Sequence, residues 1–227
     1  MALIKMNFLS KYLGMQTNVT ICLPSFSFAD VMGGRAGENY VKGMQYQTLY
    51  LLHGGSGDDS DYVNFSNILR YADDHKLAVV MPADHNADYT DAEHGPKYWK
   101  YLTKELPVMC QSLFALSDRQ EDNFVGGLSM GAHGAMKWAL MDPDRFAAAL
   151  IMSGAARHPD IIKNFAPLKK PKQLEEMDPD LMPMPEMKYI YGDLDAFKGG
   201  PHDAYAAAKR NAEAGKMSTK FFFTCGG

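Results

Sequence analysis

Five residues, Gly127-Leu128-Ser129-Met130-Gly131, constrain this chain more than any others. An apolar run, Asn123 to Gly126, leads into them, and a helix-forming run, Ala132 to Met141, leads away. Strand, sharp turn and helix in that order push a serine out of the end of a sheet. The turn needs small residues because Ser129 must take a strained backbone conformation. The helix N-terminus that follows carries partial positive charge, which favours an oxyanion near the serine Oγ. Ser129 is the candidate nucleophile.

A second glycine-rich loop strengthens that reading. Gln47 to Leu52 is an apolar strand that runs straight into His53-Gly54-Gly55-Ser56-Gly57. Glycines there let backbone N–H groups approach a substrate with no side chain in the way. The two oxyanion donors are expected to be the N–H groups of Gly55 and Met130. His53 precedes the serine and lies inside the loop, so its expected task is to brace that loop by hydrogen bonding.

The order of elements implies an α/β fold with a mostly parallel central sheet flanked by helices. Ala2 to Leu9 and Gln16 to Leu23 read as an antiparallel pair turned near Gly14. Phe26 to Met44 reads as a surface loop, Asn67 to His75 as a helix, and Leu77 to Met81 as a strand. Tyr98 to Leu116 has helical spacing interrupted early by Pro107, and Phe146 to Ser153 is a buried strand. A helix from Ala204 to Ala214 leads to a late strand, Lys220 to Cys225. Between about 154 and 201 the pattern turns irregular, as in Lys169-Lys170-Pro171-Lys172 and Met182-Pro183-Met184-Pro185. Such an insertion forms a cap over an active site. Its methionines, Met177, Met182, Met184 and Met187, read as packing filler ahead of an acyl-pocket lining.

With 227 residues the chain has the length of one domain, 1–227. A net charge of −4 without a basic block argues against a nucleic-acid surface. No apolar run reaches membrane-spanning length, and Met1 to Lys11 lacks the pattern of a signal peptide. The scattered Cys22, Cys110 and Cys225 suit reduced thiols in the cytoplasm, with Cys225 read as buried. Asp84, His85, Asp88, Asp91 and His94 match no defined metal spacing and read as a solvated loop. No metal and no cofactor is expected.

Taken together, "LLHGG", "PADHNADYTD", the "KELP" helix, "GLSMGAHGAMKWAL" and "IMSGA" resemble the esterase D and tributyrin-esterase group of α/β-hydrolases. That group includes S-formylglutathione hydrolases and bacterial feruloyl and acetyl esterases. The resemblance runs from about Met6 to the end of the chain. It implies an α/β-hydrolase fold, Ser129 as nucleophile, and Gly55 with Met130 as the oxyanion hole. The implied activity is serine carboxylesterase action on small-molecule short-chain acyl esters, aryl and feruloyl esters included, through an acyl-enzyme. Thioester hydrolysis is the close variant, and a silent hydrolase-like binding protein is the alternative of another class. A homo-oligomer is compatible with the sequence.

The resemblance also implies a triad order of Ser, Asp, then His, with the acid just after the late strand. Here "FFFTCGG" ends the chain where that acid would follow, so the expectation is a fragment lacking the final strand, helix, acid and His. A rival lies within the chain. Tyr189-Ile190-Tyr191-Gly192 would be a strand end carrying Asp193 or Asp195 as acid, with His202 as base. His158 is a weaker candidate base.

Overall fold

Continuous apolar runs build the centre of the molecule, because a strand covered on both faces cannot alternate with polar residues. The computed structural model describes residues 1–34, 40–163 and 187–226. Strands β3 (Thr48–Leu52) and β4 (Ala78–Pro82) are buried almost throughout. With β1 (Ala2–Leu9), β2 (Gln16–Leu23), β5 (Asn123–Leu128), β6 (Ala148–Met152) and β7 (Lys220–Thr224) they form a seven-stranded sheet. The order is β1-β2-β4-β3-β5-β6-β7. The first two strands form the expected antiparallel pair, β2 runs antiparallel to β4, and β3 through β7 are parallel.

Register sets where the two glycine-rich loops lie. Leu52 is paired with Gly127 across β3 and β5, and Leu128 with Met152 across β5 and β6. The His53 loop and the Ser129 turn therefore leave neighbouring strands side by side, at the carboxyl edge of the sheet. Crevices at that edge are the usual ligand sites of parallel α/β sheets.

The helix α6 (Met130–Met141) packs over β3, β5 and β6. Its Trp138 is fully buried, with ring centroids 5.3 Å from Tyr50 and 5.0 Å from Phe146. Each such aromatic pair contributes roughly 0.5–1.5 kcal/mol beyond area burial. Around this core lie α1 (Phe28–Met32), α2 (Asp61–Phe65), α3 (Ile68–Asp74), α4 (Tyr98–Lys100) and α5 (Leu106–Leu113). Later in the chain come α7 (Pro159–Lys163), α8 (Met187–Tyr191) and α9 (Ala204–Glu213).

Several expectations need correction. The stretch expected as a loop from Phe26 carries α1, started by Ser27 and Asp30 capping one another's backbone. Ahead of Pro107 the helix widens into a π segment, Tyr101–Glu105, where the Leu106 N–H bonds to Tyr101 O. This places the irregularity in the turn that precedes the proline ring. Tyr189–Tyr191 is helical within α8, not a strand end. Cys225 is exposed, while Cys22 and Cys110 are buried. Met177, Met182, Met184 and the two Pro-rich stretches lie outside the described residues. Phe222 and Phe223 on β7 are exposed, and among the described residues no helix is long and apolar enough to cross a membrane.

Candidate active site

Ser129 stands between β5 and α6 with φ 56° and ψ −110°, the strained turn that the sequence implied. Its backbone is held at both ends. The Ser129 N–H donates to Met152 O at 3.0 Å, and Ser129 O accepts from the His133 N–H at 3.1 Å. Its side chain is exposed, and no hydrogen bond joins its Oγ to another described residue. The glycines around it are required by close approach. A Cβ on Gly131 would lie 2.0 Å from Leu52 O, and one on Gly127 would lie 2.3 Å from Gly131 O. A Cβ on Gly154 would lie 2.8 Å from Ser129 O.

Backbone strain concentrates here. Of eight non-glycine residues at positive φ among those described, six are Ser56, Asn86, Asp88, Tyr89, Ser129 and Ser153. All six sit at Ser129 or in the loops after β3, β4 and β6. Such conformations cost about 1–3 kcal/mol each and persist where the surroundings over-determine them.

The loop after β3 lies against this turn, since a Cβ on Gly54 would come within 3.8 Å of Ser129 Cβ. The N–H groups of Gly55 and Met130 donate to no protein acceptor among the described residues. His53 braces the loop as expected. Its Nε2 accepts from the Asp84 N–H at 2.8 Å, which leaves Nδ1–H to donate to Gly54 O at 2.7 Å. Burial lowers its pKa and favours this neutral tautomer.

The stretch expected as a solvated loop is solvated at His85 and His94, but its Asp84 and Asp88 are buried and brace the site. Asp84 is fully buried and accepts from the N–H groups of Ala87 at 2.6 Å and Tyr89 at 3.0 Å. Burial raises its carboxyl to about 7, against those two donors. Tyr89, whose role was not legible in the sequence, donates its hydroxyl to His53 O at 3.0 Å.

On one side of α6, with its His133 and Lys137, lies a buried ionic cluster that no motif announced. Burial opposes the charge on Asp88, yet Arg157 grips both carboxylate oxygens at 3.0 and 2.9 Å. The Tyr191 hydroxyl adds a third donor at 2.6 Å, and together they hold Asp88 at about 2. His133, pushed by burial to about 3, is neutral, and its Nδ1 accepts from the Arg157 N–H at 2.9 Å. Lys137 is fully buried, donates to Thr90 Oγ1 at 2.7 Å and Tyr89 O at 3.2 Å, and is lowered by burial to about 7.

The proposed in-chain acid and base lie in different surroundings from Ser129. Asp193 and His202 line a cavity of about 400 Å³ with Lys97, Lys100 and Tyr191. The His202 ring packs edge-on to Trp99, and its Nδ1 is buried without a hydrogen-bond partner among the described residues. Burial lowers His202 to about 3. Asp193 Oδ1 accepts from the Asp195 N–H at 3.0 Å, and His158 packs on Tyr205. No hydrogen bond joins Ser129 Oγ to Asp193, Asp195, His202 or His158. Among the described residues no group of His, Cys, Asp or Glu has the arrangement of a metal site.

Comparison with known proteins follows the same lines. The family model Esterase matches residues 10–212. The acetyl esterase of Caldicellulosiruptor saccharolyticus is 26% identical over 227 residues, covering 100% of this chain and 80% of that protein. Fluorophosphonate-binding serine hydrolase F of Staphylococcus aureus, solved with substrate bound, is 30% identical with a TM-score of 0.79. That alignment covers 100% of this chain and 79% of the other. The apo S-formylglutathione hydrolase of the same organism is 30% identical, TM-score 0.75, covering 99% and 79% of the two chains. The α/β-hydrolase fold is shared with these structures.

Proposed function

This chain belongs to the Esterase family, and we propose that Ser129 is its nucleophile and short-chain acyl esters its substrates. It is a serine carboxylesterase acting on small-molecule esters. The observation that carries the assignment of the nucleophile is the exposed Ser129 at φ 56°, with Gly54 of the glycine loop against it and the N–H groups of Met130 and Gly55 without an acceptor among the described residues.

The chemistry follows from that arrangement. Ser129 Oγ attacks the ester carbonyl carbon while its proton passes to a general base. The carbonyl oxygen becomes an oxyanion that the N–H groups of Gly55 and Met130 receive. The alkoxide leaves with a proton, an acyl-enzyme remains, and water releases the acid. Likeness to the acetyl esterase supports a small acyl group. Likeness to the S-formylglutathione hydrolase supports a second reading, a short acyl thioester, because the same steps cleave a C–S bond. The three free cysteines support a reducing, cytoplasmic setting.

The test is intact mass after exposure of the folded chain to an alkyl fluorophosphonate. One adduct on the wild type and none on Ser129→Ala is the expected result. Labelling that survives the substitution, or a folded wild type that takes no label, sinks the assignment. A silent binding protein would instead bind esters equally with and without the serine hydroxyl.

A further inference from the structure

The oxyanion loop has three glycines in four positions, Gly54, Gly55 and Gly57, and so has little stiffness of its own. A preorganised donor is worth most when it does not have to reorient during the reaction. Something must therefore hold the Gly55 N–H in place. His53 fixes the start of the loop, through Asp84 and Gly54. Its outer part is held by the Gly57 N–H on Gly54 O at 3.3 Å, by the Asp58 N–H on Asp61 Oδ1 at 3.2 Å, and by one side chain from the loop after β4. Asn86 Oδ1 accepts from the Ser56 N–H at 2.7 Å.

We propose that Asn86 is a positioning residue of the oxyanion hole: by holding the Ser56 N–H it fixes the peptide on the far side of Gly55, while His53 Nδ1–H and the Gly57 N–H hold Gly54 O in the peptide that carries the Gly55 N–H. The proposal rests on the assignment of Ser129 and Gly55 above. Three observations support it. A Cβ on Gly55 would come only within 3.9 Å of Asn86 Oδ1, so the amide sits over this peptide without crowding it. Ser56 and Asn86 both hold positive φ, 65° and 59°, a paired strain across the two loops that their hydrogen bond joins. Asn86 itself is anchored, because its N–H donates to Asp84 O at 3.0 Å inside the turn closed by the Asp84 carboxylate. Asparagine suits the position, as a short side chain that tolerates left-handed backbone and carries an acceptor.

Asn86→Gly tests this, because glycine keeps the positive φ and removes only the amide. Labelling by the alkyl fluorophosphonate forms the Ser129 Oγ–P bond and breaks P–F. Fluoride leaves, the serine proton is lost, and a phosphoryl oxygen occupies the oxyanion hole. The expected result is a limiting labelling rate about 10–100-fold lower. The half-saturating probe concentration and the unfolding midpoint should stay where they are. Amide hydrogen exchange over residues 53–58 should quicken in the variant, whatever Ser129 does. An unchanged rate with unchanged exchange overturns the role of Asn86 alone. So does a rate loss matched by a lower unfolding midpoint, which would make Asn86 only a structural support. A wild type that takes no label defeats the Ser129 assignment, and this role with it.

Discussion

The two glycine-rich loops lie side by side at one sheet edge, yet they are held by opposite means. Around Ser129 the glycines are locked by contact, with Gly131 and Gly127 leaving no room for a methyl group. Around Gly55 there is room, since nothing lies closer than 3.9 Å to a Cβ there. That loop is held by hydrogen bonds, from His53 within it, from Asp61 of α2, and from Asn86 and Tyr89 of the loop after β4. Lys137 ties the two halves together, reaching from α6 to Tyr89 O and Thr90. A loop held by packing carries its reason in its own residues. A loop held by hydrogen bonds depends on a distant segment.

Breaking the packed loop should have the largest effect. Gly131→Ala drives a Cβ into the backbone of β3, and chemical denaturation should show a loss of about 4 kcal/mol or more. The tie between the loops comes next. Lys137 titrates near 7 when folded but near 10.5 when exposed, so between those values the unfolded chain binds more protons. Wild-type stability should therefore rise by about 2 kcal/mol from pH 7 to pH 9. Lys137→Met should lack that rise, and a melting series across pH decides the matter.

The hydrogen-bonded loop should respond more gently. His53→Ala leaves the buried Asp84 N–H without its acceptor, a cost of about 2 kcal/mol readable by denaturant titration. Ser129→Gly should stabilise the fold by about 1 kcal/mol through relief of the φ 56° strain, while abolishing labelling. Smallest of all, Gly55→Ala should change stability by less than about 0.5 kcal/mol. A large loss there would mean that the second loop is packed after all, and the contrast between the loops would fail.

Much of this was legible in order and spacing. Alternating apolar runs marked the strands and the main helices because burial imposes period and length. The turn at Ser129 was legible because its tight contacts demand glycine in the local sequence. The small helix α1 was also within reach, through the capping pair Ser27 and Asp30. Other features lay beyond local reading. Tyr189–Tyr191 has the composition of a strand but folds as a helix, and Asp84 and Asp88 look like surface charges but are buried.

By itself the sequence determined the sheet's strands, the strained serine turn and the family, since these rest on periodicity, glycine and motif. Only the tertiary structure decided which side chains hold the second loop and how Asp88 and Lys137 survive burial. It also placed Asp193 and His202 in a cavity where no hydrogen bond links them to Ser129. The physical reason is distance along the chain. Asn86 meets Ser56 across 30 residues, and Tyr191 meets Asp88 across 103, so only the folded sheet brings each donor to its acceptor.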